Sequence, residues 1–220
     1  MTDAMLKFSD KLCEFENALS DIKLSLLKDK AESVAFVCVD MIGAFCVQGA
    51  LSSPECKALS NRVANTLKDA KELGFKHFLF LQDRHSEDST EFDCFPPHAV
   101  KNTQEADMIE QIKELNLDQK IFYKNSFSIA YNENFKNFID QNPQIDTFIV
   151  IGNCTDICIF NTISHLRCSA NEQNIKRNII LVSDLVSTFT TMWHDSRLFN
   201  TMFLFFAKDT YGVEIYKNLL

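Results

Sequence analysis

Beyond roughly the first thirty residues, the chain alternates between two hydrophobic rhythms. The first is near-continuous. VAFVCVD (34–40), HFLFLQD (77–83), KIFYK (120–124), DTFIVIG (146–152), NIILVSD (178–184) and VEIY (213–216) are short apolar runs that read as strands. The second has helical spacing. Val63, Leu67, Ala70 and Leu73 recur every three or four positions and stop at Gly74, a residue suited to a left-handed helix end. QEADMIEQIKEL (104–115), the stretch from 158 to about 171 and that from about 194 to 208 are predicted helical by the same spacing. Residues 1–32 carry Leu12, Phe15, Leu19, Ile22 and Leu26 with charges between them, which predicts an amphipathic N-terminal helix. That extension is expected to pack on the domain that follows, residues 33–220, or on another subunit.

Strands that are apolar at nearly every position are covered on both faces, and here helical patterns separate them. The expected fold class is α/β: a single doubly wound domain, a parallel sheet with helices on both faces, plus the N-terminal helix. Ligands of such sheets bind beyond the carboxyl ends of the strands, where strand order reverses. The polar residues that follow the runs are therefore the candidates: Asp40, then Asp83 and His85, Lys124, the turn 152–158, and Asp184.

Composition narrows the choice of partner. Hydrophobic residues make up 46% and charged residues 24%, and the net charge is −8 with no basic block. Nucleic acid and anionic membrane surfaces are poor partners for such a chain. No secretory leader pattern stands at the N-terminus, and no apolar run reaches the roughly 18 residues of a spanning helix. The expected location is cytoplasmic. Eight cysteines, at 13, 38, 46, 56, 94, 154, 158 and 168, include no Cys-x-x-Cys pair, so most read as small buried hydrophobes.

Chemistry concentrates after the strands. In IGNCTDICIF (151–160) a strand runs into a turn and then a helix, so Cys158 is expected near a helix start. There the dipole favours thiolate, and unpaired amides could hold an oxyanion. Asp40 ends an apolar strand, an expensive position for a lone carboxylate. Lys124 ends the third strand, where an ammonium beside a thiol would favour the thiolate. A second cluster is Asp83-Arg84-His85, Glu91 and Phe95-Pro96-Pro97-His98. Residues two apart on extended chain point the same way, and mixed carboxylate and imidazole donors suit zinc, iron or manganese.

From about Val34 onward these motifs resemble the isochorismatase-like cysteine hydrolases, and within them the nicotinamidases. The nucleophile motif is matched by Gly152-Asn153-Cys154-Thr155-Asp156-Ile157-Cys158-Ile159, and the lysine segment by Tyr123-Lys124-Asn125-Ser126-Phe127-Ser128-Ile129-Ala130-Tyr131. Asp40 stands five residues before Phe45, as the family's aspartate precedes a phenylalanine. The chain departs from the pattern at Met41-Ile42-Gly43, where nicotinamidases carry Gln and an acidic residue, and at Ala99, where cysteine is common.

The resemblance implies six parallel strands in the order 3-2-1-4-5-6. It implies Asp40, Lys124 and Cys158 as catalytic residues, and backbone amides of Cys154 and Cys158 as an oxyanion hole beside a cis Asn153–Cys154 peptide. It further implies Asp83, His85, Glu91 and His98 as ligands of a divalent metal, zinc first with iron or manganese as alternatives. Phe45, Phe95 and Tyr131 correspond to the rings that clamp the substrate. The implied reaction is nicotinamide plus water to nicotinate plus ammonia through a cysteine thioester, a step of NAD salvage, in a homo-oligomer. The alternatives are a carbamoyl or other carboxamide hydrolase of the same family, a catalytically silent relative, and a redox sensor in which Cys154 resolves Cys158.

Overall fold

A computed structural model describes residues 2–220. Its elements run α1 (Asp3–Asn17), β1 (Val34–Val39), α2 (Gly43–Cys46), α3 (Pro54–Glu72), β2 (His77–Asp83), α4 (Glu110–Lys113) and β3 (Gln119–Lys124). They continue with α5 (Glu133–Gln141), β4 (Thr147–Asn153), α6 (Phe160–Gln173), β5 (Asn178–Ser187), α7 (Ser196–Tyr211) and β6 (Glu214–Tyr216). The strands form one sheet in the order β3-β2-β1-β4-β5-β6, and all five neighbouring pairs are parallel. The expected order is observed, and it reverses between β1 and β4.

The continuous apolar runs follow from burial on two sides. Along β1, Val34, Phe36 and Cys38 pack with Leu59, Val63 and Leu67 of α3. Ala35, Val37 and Val39 face the other way, into a core with Phe135, Ile163, Leu166 and Leu204 of α5, α6 and α7. Side chains alternate across a strand, so only a sequence apolar at both parities can fill two cores. Helix ends are equally legible. Ser53 accepts a hydrogen bond from the Cys56 amide (3.1 Å) ahead of Pro54, and Gly74, at φ +92°, follows the end of α3.

Three segments differ from the sequence reading. The N-terminal helix ends at Asn17. Beyond it the chain pairs with the distant C-terminus, where the Ile22 amide donates to the Asn218 carbonyl (2.9 Å) and the Leu220 amide to that of Ile22 (2.9 Å). The predicted helix 104–115 breaks into a short 3-10 turn and α4, because its middle bonds to the loop after β1. The Gly43 amide donates to the Asp107 carbonyl (2.9 Å), and the Ile109 amide to that of Met41 (3.1 Å). Helix α5, absent from the sequence reading, links β3 to β4 after a cap in which Asn132 accepts from the Phe135 amide (2.9 Å).

Helix α1 lies against α7, with Phe15 and Phe205 in edge-to-face contact at 5.5 Å and Arg197 paired to Glu16 at 3.0 Å. No helix of the described residues is long and apolar enough to cross a membrane.

Candidate active site

Three strand ends meet at the reversal of strand order. Asp40 leaves β1 with φ 49°, fully buried. Its Oδ1 accepts the Asp83 amide at 2.8 Å, and its Oδ2 accepts Lys124 Nζ at 2.8 Å. Lys124, the last residue of β3, also donates to Asp83 Oδ1 and lies 3.9 Å from Cys158 Sγ. A carboxylate oxygen of Asp40 and Cys158 Sγ lie within 4.8 Å of each other. The expected trio therefore converges from β1, β3 and the turn after β4.

That turn depends on Gly152. Its φ is +114°, and a Cβ there would stand 2.1 Å from the Val39 carbonyl oxygen. Only glycine lets β4 approach β1 this closely as the register against β5 shifts between Val150 and Gly152. The Asn153–Cys154 peptide is cis, as expected, and Asn153 Nδ2 donates to the Asp40 carbonyl at 3.1 Å, joining the turn to β1. The chain then winds a single wide π-turn, Thr155–Ile159, before α6. The Cys154 carbonyl accepts both the Ile157 amide (3.1 Å) and the Ile159 amide (3.0 Å). Among the described residues, the Cys154 amide, which lies outside any helix or strand, donates to no protein acceptor and is free to hold an oxyanion.

The electrostatics correct one expectation. Burial raises the Cys158 thiol well above its ordinary range; Lys124 opposes this, but Asp40 and Asp83 add to it. Desolvation and two carboxylates outweigh the helix-start effect, so the resting sulfur is a thiol. Asp40 is pushed up to about 6, by burial first and then by Asp83. Lys124 is held well above its usual value: burial works against the charge, but Asp40 and Asp83 more than compensate.

Asp83 turns its second oxygen to another cluster. Asp83, His85, Glu91 and His98 each offer a donor atom, and these all lie within 4.8 Å of one another. His85 Nε2 stands 3.7 Å from Asp83 Oδ2 and 3.6 Å from Glu91 Oε1, and His98 Nε2 stands 4.0 and 3.9 Å from the same atoms. These gaps are too long for hydrogen bonds. Yet His85 is fully buried, and neither of its ring nitrogens has a partner. Such orphans cost about 1–3 kcal/mol apiece unless something fills the gap. A small cation with bonds of about 2.0–2.2 Å needs donors roughly 3–4 Å apart, so the residues fit one.

The surroundings orient each donor. His98 Nδ1 meets the Pro96 carbonyl at 2.8 Å; a carbonyl only accepts, so Nδ1 carries the proton and Nε2 presents its lone pair. Glu91 Oε2 accepts the Phe127 amide at 3.0 Å, which leaves Oε1 for the cluster. His85 is tied by its backbone to the chain after His98, its amide donating to the Ala99 carbonyl at 3.0 Å.

Both groups open into one cavity of about 520 Å³, with Cys158, Asp83, Glu91 and His98 in its wall. Phe45 and Phe95 line it as expected, their rings 5.7 and 6.3 Å from that of His98. Tyr131 does not. It is 86% exposed, because the 3-10 turn Ile129–Tyr131 buries Ile129 and turns the tyrosine outward. Sequence reasoning missed three rings that do line the cavity: Phe127, Phe189 and Trp193. Their signal was position, since all three follow the carboxyl ends of β3 and β5.

The isochorismatase domain model matches residues 34–210. The chain belongs to the isochorismatase family. Among curated relatives, Nicotinamidase 1 of Arabidopsis thaliana is 26% identical, over 77% of this chain and 75% of that protein. Among solved structures, the nicotinamidase of Bacillus subtilis has a TM-score of 0.68 at 20% identity, covering 84% of this chain and 99% of the other. The N-carbamoylsarcosine amidase of Thermoplasma acidophilum has a TM-score of 0.65 at 23% identity, covering 84% and 96%. At these identities the structural likeness establishes the isochorismatase-like fold.

Proposed function

We propose that this family member is a metal-dependent amidohydrolase that converts nicotinamide and water to nicotinate and ammonia through a thioester on Cys158. One observation carries the reading. Asp83 belongs at once to the Asp40–Lys124–Cys158 cluster and to the four-donor group it forms with His85, Glu91 and His98, and both face a single aromatic-lined cavity.

The chemistry begins with a neutral thiol. Asp40 accepts the Cys158 proton as the sulfur attacks the carboxamide carbon, with Lys124 balancing the charge that develops on both. The amides of Cys154 and Cys158 receive the oxyanion. Asp40 returns the proton to the departing nitrogen, so ammonia leaves and the acyl group stays on sulfur. Asp40 next takes a proton from water, hydroxide adds to the thioester, and collapse releases the carboxylic acid and regenerates the thiol. General-base and oxyanion contributions of this kind are each worth about 10²–10⁴-fold and 10²–10³-fold in rate.

Asp83, His85, Glu91 and His98 would hold the metal, whose chemistry is that of a Lewis acid able to take a substrate's ring nitrogen. Two carboxylates and two neutral imidazoles balance a divalent ion, with zinc favoured by this donor set and iron or manganese accepted by it. NAD salvage and a cytoplasmic, homo-oligomeric enzyme complete the reading.

The carbamoyl hydrolase alternative is less well supported. Neither arginine nor lysine lines the cavity. A substrate bearing a free carboxylate, such as N-carbamoylsarcosine or isochorismate, would find no side-chain cation there. The test is ammonia release from a panel of neutral and carboxylated amides, with metal content measured on the same sample. Turnover confined to carboxylated or ureido substrates would overturn the proposal.

A further inference from the structure

Between β5 and α7, residues 188–195 cross the cavity mouth as a strap that the chemistry above does not use. It contributes Phe189, Thr190, Thr191 and Trp193 to the cavity wall. Trp193 is nevertheless 78% exposed, and Met192 beside it is fully exposed. A large aromatic surface that is open to solvent and borders a catalytic cavity is suited to covering a ligand.

The strap is not a loose loop. The Thr191 amide donates to the His194 carbonyl at 2.8 Å, closing a tight turn that carries Met192 and Trp193 at its tip. The Ser196 amide donates to Thr190 Oγ1 at 3.2 Å, and Asp195 caps α7 by accepting the Leu198 amide at 2.8 Å. His194 is the fastening. It is buried, stacked between Phe189 (4.2 Å, 7°) and Phe199 (3.7 Å, 27°). Its Nδ1 donates to the Phe189 carbonyl at 2.7 Å, and its Nε2 meets Asp156 Oδ2 at 2.8 Å. Asp156 lies in the π-turn two residues before Cys158. The strap is thus clipped directly to the nucleophile turn.

We infer that this strap is the specificity element of the pocket: Trp193 packs against the bound ring of a neutral aromatic amide, and the His194–Asp156 pair holds it in register with Cys158. The inference rests on the amidase reading for its substrate class but not for its geometry. Trp193 is a specificity-determining residue, and His194 and Asp156 are positioning residues. Aromatic contact supplies the binding: ring pairing of this kind is worth about a factor of ten in affinity.

Trp193 is the chain's single tryptophan, so its emission reads the strap alone. The metal-loaded Cys158→Ala variant, which holds an amide without turning it over, would be titrated with nicotinamide and with benzamide. Fluorescence and calorimetry would be recorded together. The expected result is a saturable shift of emission to shorter wavelength, with a midpoint equal to the calorimetric dissociation constant. In the otherwise native enzyme, Trp193→Ala should raise KM about ten-fold while kcat stays within about two-fold, and Trp193→Phe should restore most of the loss. His194→Gln should raise KM and blunt the emission change, with an unaltered circular dichroism spectrum as the folding control. Binding seen by calorimetry without an emission change, or an unchanged KM in Trp193→Ala, would overturn the strap's role and leave the amidase reading standing. An emission shift and calorimetric binding weakened about ten-fold by Trp193→Ala in the Cys158→Ala background, with no ammonia release by the wild type, would overturn the amidase reading alone. No binding of either amide would overturn both.

Discussion

Replacing Gly152 by alanine adds one methyl group where the structure has no room for it, at the joint between the sheet and the turn that carries Cys158. Two penalties apply. The residue sits at φ +114°, a conformation that costs a residue with a side chain about 1–3 kcal/mol. The new Cβ would stand 2.1 Å from the Val39 carbonyl oxygen and 3.0 Å from that residue's C and N, all backbone atoms of a central strand. Restoring an ordinary contact of 3.4 Å requires β4 and β1 to part by about 1.3 Å. Overpacking of that kind costs about 1–3 kcal/mol, so with the backbone penalty the sum is about 2–6 kcal/mol. This is a large share of the roughly 5–15 kcal/mol that holds a domain together.

The catalytic consequence is separate. The parting occurs next to Asp40 on one strand and next to the Asn153–Cys154 peptide on the other, so the proposed base Asp40 and the proposed nucleophile Cys158 are pulled out of register. A misplacement of about 1 Å costs on the order of 10² in rate. The assays are urea unfolding for stability, and ammonia release at a temperature where the variant stays folded. Gly74→Ala is the control: its φ is +92°, but nothing lies within 4 Å of the added Cβ, so it should lose about 1 kcal/mol and keep full activity. If Gly152→Ala lost less stability than Gly74→Ala, and kept kcat/KM within about two-fold, the assignment of a close-approach role would be refuted.

Cys158→Ala should abolish ammonia release with an unchanged circular dichroism spectrum, and full activity in that variant would remove the cysteine from the mechanism. Chelation, or His98→Ala, should empty the cation site and lower activity by at least about ten-fold, read by elemental analysis beside the rate assay. Because Asp40 is raised to about 6 and must be ionised to act as a base, kcat/KM should fall about ten-fold per pH unit below that value and level off above it. A flat profile through pH 6 would point to another base.

The strands were legible because burial on both faces forces apolar residues at both parities, a local pattern. The convergence of Asp40 and Lys124 with the Asp83–His85–Glu91–His98 group was legible because parallel topology sends every strand's carboxyl end to one edge, so position along the chain maps onto position in space. What escaped depended on distant partners. The N-terminal helix stops at Asn17 because the chain beyond it pairs with residues 218–220, and no periodicity within residues 1–32 encodes that. The helix predicted at 104–115 yields to bonds with residues 41 and 43. Tyr131 was assigned to the pocket by motif position, while the actual rings, Phe127, Phe189 and Trp193, come from loops whose paths the sequence does not specify.

The state of Cys158, the proposed nucleophile, is the most instructive departure. A cysteine at a helix start is ordinarily read as a poised thiolate, and the turn does present a free amide at Cys154. Here the sulfur is buried, its neighbours are one ammonium and two carboxylates, and the first turn is a wide π-turn. With Asp40 and Asp83 ionised around Lys124, the cluster already carries one net negative charge. A resting thiolate would add a second in a site that burial has stripped of water. Moving the proton from Cys158 to Asp40 changes no net charge, because one anion is created as another is neutralised. In the proposed mechanism such a site keeps a neutral thiol in reserve and forms the thiolate only as the carbonyl carbon arrives to accept its electrons. The same arrangement places Asp40 in the range where the proposed mechanism needs it both to take and to return a proton, and keeps Lys124 charged.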